Sequence, residues 1–210
     1  MYVPSRYAVT DLDVLHEFIE RNGFGLLVSQ VEDAPFATHI PFLLDRDHGP
    51  NGRLVGHVAR ANPQWRHLAG QRALAVFSGP HAYISPTWYE AENTVPTWDY
   101  VAVHATGMVE TIEDKETLLD IVRRTTDAYE STMPAPWKLN AEGAFVDRLL
   151  DQIVGFRLRI DKLEGQWKMN QNHPAERRAK VIRALETRGT GDDAAVARLI
   201  RATLPEEAAK

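Results

Sequence analysis

Hydrophobic and polar residues alternate in short runs through most of the chain. Seven runs have the length and apolar spacing of β-strands: residues 25–31, 36–44, 54–59, 74–78, 81–85, 100–112 and 153–163. Turn residues separate several of them, for example at 33–35, 48–52 and 79–80, and most gaps are too short for a crossover helix. The pattern therefore predicts an α+β fold built on a small antiparallel barrel with flanking helices.

Helical periodicity is confined to the segments between and after these runs. It predicts a helix from Thr10 to the Asn22-Gly23 pair, and others over residues 62–68, 114–129, 141–150, 175–188 and 193–204. Beyond Pro174 the composition shifts to alanine, arginine and glutamate, and Val181, Ile182 and Leu185 would form the buried side of the helix over 175–188. We therefore expect a barrel domain over residues 1–172 and a C-terminal helical extension over residues 173–210.

Composition and charge exclude several classes of protein. The 210 residues carry a net charge of −5, so the chain as a whole has no basic field that would attract nucleic acid. Because there is no cysteine, disulfides, thiolate metal sites and cysteine nucleophiles are excluded. The first residues, MYVPSRYAVTDL, lack the apolar run of a signal peptide, and no segment has the apolar length of a membrane span. We expect a cytoplasmic protein with no membrane partner.

Two polar segments near the predicted strands are candidates for ligand binding. In THIPF, residues 38–42, a proline inside a strand indicates an edge or a bulge, where backbone groups are free to bond a ligand. In GHVARANPQW, residues 56–65, Arg60 and Asn62 precede a helix start and suit a phosphate. An ordinary edge strand and a solvated arginine beside a helix cap are the structural alternatives.

Two further segments supply flat aromatic surface and hydrogen-bonding groups. SPTWYEAENTVPTWDYVAVH, residues 85–104, places Trp88 and Trp98 two residues after prolines, and rigid loops hold aromatic rings at a small ordering cost. QWKMNQN, residues 166–172, crowds donors and acceptors together, and Lys168 is a suitable point charge for a phosphate. The alternatives are a minor core or interface cluster for the first segment and a polar turn for the second.

The sequence lacks the motifs of several other active sites. It has no His-Glu-x-x-His, no Gly-x-Ser-x-Gly, no Gly-x-Gly-x-x-Gly and no Gly-Lys-Ser/Thr. No metal site is predicted, and the catalytic residues are unknown. The basic residues within 177–183 are offset by Glu176 and Glu186, which is typical of a solvated helix face.

Taken in order, five motifs give the chain a family resemblance. THIPF, GHVARANPQW, FSGPHAYISPTWY, VPTWDYVAVHATG and WKMNQN resemble the PaiB-type FMN-binding negative transcriptional regulators, over nearly the whole chain up to Asn172. The resemblance implies the FMN-binding split barrel, the fold shared with pyridoxamine 5′-phosphate oxidase and the flavin reductases. It also implies a homodimer with its FMN sites at the subunit interface.

The resemblance further implies which residues hold the cofactor. Arg60 and Asn62 would receive the phosphate, and Thr38 and His39 would lie beside the isoalloxazine. Lys168, Asn170 and Gln171 would close the site. The full set of expected cofactor-binding residues is Thr38, His39, His57, Arg60, Asn62, Ser85, Trp88, Tyr89, Pro96, Thr97, Trp98, Lys168, Asn170 and Gln171.

Two departures from the family pattern bear on cofactor affinity. Family members often have Lys-Leu-Ser-Gln-Asn where this chain has Lys168-Met169-Asn170-Gln171-Asn172. Some members also carry a longer, lysine-containing loop where this chain has the short acidic segment 90–94.

Several functions are compatible with such a chain. The resemblance implies a transcriptional regulator, although the sequence contains no helix-turn-helix, so a DNA contact would require the C-terminal helices or a partner protein. The alternatives are a small flavin-dependent oxidoreductase, either a reductase or an oxidase, a haem-binding or haem-degrading protein, and a binding module without catalysis.

Overall fold

The computed structural model describes residues 1–140 and 144–205 and divides into two compact units. The larger unit comprises Leu12–Phe77 and His104–Leu163. The terminal unit comprises Met1–Asp11, Ser78–Val103 and Glu164–Lys210, and so contains both chain ends. The boundaries between the two units fall inside three long strands. The sequence-based division at residue 172 stays a prediction.

The strands form an antiparallel sheet. They are β1 (Ala8–Val9), β2 (Phe24–Val31), β3 (Ala34–Pro41), β4 (Leu43–Asp45), β5 (Arg53–Ala59), β6 (Arg72–Ile84), β7 (Thr97–Ile112) and β8 (Ile153–Lys168). Their order is β3-β2-β6-β7-β8-β5-β4, and β1 pairs with β8. Every pair whose register is defined is antiparallel. Together with the helices, this sheet confirms the α+β class.

Several strand boundaries differ from the predicted ones. The runs 74–78 and 81–85 belong to one strand, β6, which ends at Ile84. Its buried positions shift by one residue across Gly79-Pro80, but the strand is not broken there. The run 36–44 divides at Phe42, whose N–H donates to the Gly23 carbonyl at 2.8 Å. Strand β7 begins at Thr97 and β8 continues to Lys168, so the VPTW and QWK motifs lie partly on strands.

The helices agree with the predicted ones except at their ends. They are α1 (Leu12–Arg21), α2 (Trp65–Leu68), α3 (Lys115–Glu130), α4 (Ala144–Leu150), α5 (Ala175–Arg188) and α6 (Asp193–Ala202), with short 3₁₀ turns at Ser5–Tyr7 and Pro86–Tyr89. Helix α2 starts later than expected because the Asn62 side chain accepts the Gln64 N–H at 2.9 Å and holds the preceding residues in a turn. Residues 141–143 of the predicted fourth helix lie outside the described residues.

The apolar face of α3 forms much of the core of the larger unit. Asp114 caps this helix by accepting the Thr117 N–H at 2.9 Å. Leu118 and Ile121 are buried in a cluster with Val55, Ile112, Val146 and Leu150. A Cβ on Gly155 would lie 2.9 Å from the Leu118 side chain, so a larger residue there would require Leu118 to shift.

The terminal unit contains a helical hairpin. Val181, Ile182 and Leu185 of α5 are buried, as predicted, and so are Val196 and Ile200 of α6. Gly189 ends α5 in the left-handed conformation, with φ of 59°. Its N–H donates to the Leu185 carbonyl at 2.9 Å. Among the helices of the described residues, none is long and apolar enough to cross a membrane.

Candidate functional site

The predicted site residues fall into two sets, one in each unit. Thr38, His39, His57, Arg60 and Asn62 belong to the larger unit. The terminal unit contains the other nine: Ser85, Trp88, Tyr89, Pro96, Thr97, Trp98, Lys168, Asn170 and Gln171. We call the first group the edge set and the second the aromatic set.

The edge set begins on a strand with one unpaired side. Strand β3 is the last strand of the sheet and pairs only with β2 in the strand order. Its position agrees with the expectation drawn from the proline in THIPF. An edge strand presents backbone N–H and C=O groups that no neighbouring strand uses. His39 is exposed there and stacks on the ring of Phe24, with 6.2 Å between the ring centroids.

Thr38 and Asn62 are joined by a buried glutamine. The Thr38 hydroxyl donates to Gln64 Oε1 at 2.6 Å and accepts from Asn62 Nδ2 at 2.9 Å. The Gln64 amide is fully buried and donates to Ser29 Oγ and to the carbonyls of Leu27 and Phe36. This network attaches the segment before α2 to strands β2 and β3, so a ligand at the strand edge would meet a rigid wall.

Arg60 is engaged by protein groups. Its Nη1 lies 2.7 Å from the Glu113 carboxylate, and its other nitrogens donate to the carbonyls of Asp151 and Ile153. The guanidinium also lies over the Trp65 ring, 5.5 Å from its centroid. A phosphate at this position would therefore have to replace Glu113 as the acceptor.

His57 lies on β5, where it lines an apolar cavity of about 580 Å³ together with Trp137, Phe145 and Leu149. Burial lowers the pKa of His57, and its Nδ1 atom is buried without a hydrogen-bond partner among the described residues. The neutral imidazole is therefore the favoured form at this position.

In the aromatic set, the two Pro-Thr-Trp segments adopt different structures. Ser85 caps a 3₁₀ turn by accepting the Thr87 N–H at 3.3 Å, and Trp88 in this turn lies under the Arg188 guanidinium at 4.9 Å. Pro96 is exposed and precedes β7, on which Trp98 is 54% exposed. The Trp98 indole meets Tyr83 edge-on at 5.8 Å between ring centroids and His81 at 6.1 Å, and the rest of the ring is accessible to a ligand.

The ammonium of Lys168 binds the backbone of Trp98 and not its ring. Lys168 Nζ donates to the Trp98 carbonyl at 2.9 Å and to the Thr97 hydroxyl. Gln171 folds back toward the strand end, donating to the Trp167 carbonyl and accepting the Met169 N–H, both at 2.6 Å. The segment that the family resemblance assigned to site closure is thus held in place by hydrogen bonds of its own.

A buried polar chain links Asp99, Asn170 and Tyr89. Asn170 Nδ2 donates to Asp99 Oδ2 at 2.5 Å, and the Tyr89 hydroxyl donates to Asn170 Oδ1 at 2.6 Å. Asn170 has a φ of 58°, a left-handed conformation that asparagine tolerates well. Tyr89 also stacks on His173, with 4.4 Å between ring centroids. Asn170 is therefore a structural connector inside the terminal unit.

Asp99 occupies an unusual environment for a carboxyl group. It is fully buried, and its Oδ1 has no hydrogen-bond partner among the described residues. Burial raises its pKa to about 7, against the opposing effect of Lys168. Burial, together with the charge of Asp99, raises the pKa of Tyr89 to about 12, so Tyr89 remains a donor at neutral pH.

Sequence reasoning did not single out Gln64 or Asp99. Gln64 carries no signal beyond its place in the quoted GHVARANPQW segment. Asp99 does carry one: it has the same strand parity as Val101, Val103 and Ala105, all of which are buried. Placing the start of β7 at Thr97 would have revealed both the buried Asp99 and the exposed Trp98.

The two sets have the chemical character that FMN requires. A flavin ring needs flat apolar contact and hydrogen-bonding partners for its carbonyl and N–H groups, and its phosphate needs cations or N–H donors. In the terminal unit, the exposed part of Trp98 offers flat contact and Lys168 offers a cation. In the larger unit, the free side of β3 offers hydrogen-bonding groups. The residues present therefore fit FMN.

Comparison with known proteins identifies relatives over most of the chain. Residues 1–162 match the family described as "Putative FMN-binding domain". The chain is 35% identical over 192 residues to the protease synthase and sporulation protein PAI 2 of Bacillus subtilis, covering 89% of each chain. It is also 29% identical over 252 residues to an uncharacterized protein of Aspergillus fumigatus, covering 96% of this chain and 97% of that one.

Solved structures share the fold at low sequence identity. The FAD and heme binding protein from Mycobacterium smegmatis gives a TM-score of 0.62 at 16% identity, covering 82% of this chain and 78% of that one. The flavocytochrome Anf3 from Azotobacter vinelandii gives a TM-score of 0.60 at 17% identity, covering 77% of this chain and 69% of that one. At these identities the likeness concerns the fold alone, and with the antiparallel sheet it confirms the split-barrel class.

Proposed function

The chain belongs to the PaiB-type family of FMN-binding proteins, and on that premise we propose that it is a homodimeric, flavin-responsive transcriptional regulator. FMN, the cofactor expected from the sequence, is confirmed by this membership. When bound, FMN supplies reversible electron and hydride transfer. The observation that carries the role of the site residues is the exposed indole of Trp98, whose own backbone carbonyl binds the ammonium of Lys168.

The aromatic set is proposed to receive the flavin of a partner subunit. Trp98 is the second residue of strand β7, and its ring contacts the rings of Tyr83 and His81, which restrict it before a ligand arrives. Lys168 places positive charge at the Trp98 backbone, and its two acceptors in the protein keep the ammonium in position. These residues bind and orient the cofactor.

The edge set is proposed to bind a flavin ring through the free side of β3. Backbone groups of Thr38 and His39 would bond the ring edge, while the Gln64 network keeps the strand from moving. Arg60 and Asn62 remain the proposed phosphate contacts, with the Glu113 carboxylate leaving Arg60 when the phosphate binds.

The visible absorption spectrum of the purified protein, measured before and after FMN addition and desalting, tests cofactor binding. Trp98→Ala and Lys168→Ala should lower the retained flavin by about tenfold or more, because each removes a contact expected to contribute charge or stacking. Tyr2→Ala is the control, because Tyr2 is an exposed aromatic residue (87%) that belongs to neither set. Equal flavin retention in all three variants would refute the assignment of the aromatic set.

The regulatory role is supported by the Bacillus subtilis relative, which is named a protease synthase and sporulation protein. A gel shift on the promoter of the chain's own operon, with oxidised and reduced FMN and at two salt concentrations, tests it. Salt-sensitive binding that differs between the two flavin states is expected.

Light scattering coupled to gel filtration tests the dimer, and a monomer that keeps its FMN would refute the interface sites.

A flavin-dependent oxidoreductase is the second candidate function. The observation that favours it is the exposed His39 at the strand edge, which leaves room for a small substrate beside a flavin bound there. Steady oxidation of reduced nicotinamide by the FMN-loaded protein, lost in His39→Ala while FMN is retained, would favour this enzyme over the regulator.

A further inference from the structure

A second concave site lies in the larger unit, on the outer face of strands β5, β7 and β8. This cavity has a volume of about 280 Å³. Its walls include Arg53, Arg157, Arg159, His48, Met108 and Glu110. None of these residues belongs to the edge set or to the aromatic set, and we call this cavity the arginine pocket.

The strand register places two of the arginines side by side. Arg53 on β5 is directly opposite Arg159 on β8, so the two side chains share one face of the sheet. Arg157 is two residues before Arg159 and shares that face. Like charges directly opposite each other on neighbouring strands are destabilising. An anion bound between the two guanidinium groups would relieve this repulsion.

Carboxylates of the protein neutralise these arginines only in part. Arg157 approaches Glu110 no closer than 4.0 Å, and Arg159 approaches Asp161 at 3.4 Å while Asp161 also pairs with Arg72 at 3.2 Å. Within the described part of the chain, neither Arg157 nor Arg159 donates a hydrogen bond to a protein acceptor. Arg157 is only 31% exposed, so its unused donors are partly withdrawn from water.

Arg53 gives the pocket a fixed anchor. It donates through Nε and Nη2 to Asp45 Oδ2, at 3.2 Å and 2.7 Å, and Arg124 pairs with the other oxygen of the same carboxylate. One carboxylate therefore serves two arginines, and the pocket keeps an excess of positive charge. Glu110 is the one carboxylate among the pocket walls named above, and at 70% exposed it can turn into solvent when an anion enters.

We propose that the arginine pocket binds a phosphoryl oxyanion, either free phosphate or the phosphate group of a small metabolite. Planar guanidinium forks match the spacing of phosphate oxygens, and a dianion placed between Arg53 and Arg159 would convert their repulsion into attraction. His48, at the rim, adds an N–H donor. The site is separate from the proposed flavin contacts, so both ligands bind to the same chain.

The test is a phosphate titration of the FMN-loaded protein at constant ionic strength, followed by phosphorus NMR and by thermal denaturation. Loading with FMN first keeps the phosphate of the flavin out of the titration, and the flavin absorbance reports whether that site stays filled. Saturable binding is expected. Arg157→Gln should weaken it by about tenfold, because one charged hydrogen bond accounts for roughly that factor. Arg157→Lys keeps the charge but loses the planar fork, so its phosphate affinity should lie between that of the wild type and that of Arg157→Gln.

The control is Arg123→Gln, which removes an exposed arginine on α3 outside the pocket and should leave the titration unchanged. Binding that is equal in Arg157→Gln and the wild type would mean an adventitious ion only. Acetate that binds as tightly as phosphate would overturn the phosphoryl class. A short DNA duplex that binds where phosphate does not would make the pocket a nucleic-acid contact and overturn the proposal.

Discussion

Asp99→Asn tests whether the terminal unit contains a neutral carboxylic acid near neutral pH. The substitution keeps the shape of the side chain and the oxygen that accepts from Asn170 at 2.5 Å. Asp99 Oδ1 in the wild type and the new amide nitrogen in the variant are both buried without a partner. The free-energy cost of burying an unpaired polar atom is therefore similar in the two proteins. The remaining difference is the titration of Asp99.

The magnitude follows from the shift in the pKa of Asp99, from 3.8 to about 7. A group whose folded pKa is raised binds a proton more tightly when folded, so the free energy of unfolding falls as pH rises between the two pKa values. Below about pH 4 the carboxyl group is protonated in both states and carries no penalty, and above about pH 7 the penalty is constant at roughly 4 kcal/mol.

The assay is urea unfolding of the wild type and of Asp99→Asn at pH 5 and pH 8. The variant should gain about 3 kcal/mol on the wild type between these two pH values, because most of the titration window lies between them. The other titratable groups are the same in both proteins, so their contributions to the pH dependence cancel in the difference. A stability difference that is the same at both pH values would refute the argument, since Asp99 would then be ionised throughout and its Oδ1 stabilised by a group that the structure does not show.

Three further substitutions test the packing and the charges. Gly107→Ala should prevent folding, because the new Cβ would lie 1.8 Å from the Arg159 carbonyl oxygen; a normal thermal transition by circular dichroism would contradict this. Leu118→Ala should lower the free energy of unfolding by about 3 kcal/mol through the cavity it leaves, and a loss below about 1 kcal/mol in urea would mean that the cluster collapses around it. Asp193→Ala should cost about 3 kcal/mol at neutral pH, because it leaves Arg188 without its buried partner. The hydrogen bond from Arg188 lowers the pKa of Asp193 to about 2, so the difference between this variant and the wild type should persist at pH 5 and disappear only as the pH approaches 2.

Much of the architecture could be predicted from local patterns. The alternation in residues 153–163, the apolar stripe over residues 114–129 and the composition change after Pro174 depend on neighbouring residues only, and all three correspond to elements of the structure. The α5 prediction was correct to the residue, since Pro174 and Gly189 mark its ends by restricting or freeing the backbone. The FMN prediction came from the family motifs, because hydrophobic periodicity carries no information about a cofactor.

Local patterns were insufficient where long-range pairing decides the outcome. Gly79-Pro80 has the composition of a turn, yet it lies inside β6, which continues from Arg72 to Ile84. Arg60 was expected to be open to a ligand, and three acceptors from distant parts of the chain engage it. Strand order decides which groups surround an arginine in space. The residues next to it in the sequence do not reveal that order.

The sequence by itself thus determined the elements, the antiparallel class, the family and the cofactor, because these depend on short-range periodicity and on motifs that can be read in order. Only the tertiary structure decided that Trp98 faces outward while Asp99 is buried, and that Arg53 stands opposite Arg159. Both facts follow from strand register. A shift of one residue exchanges the two faces of a strand, so the chemistry of each face is settled only when the sheet is assembled.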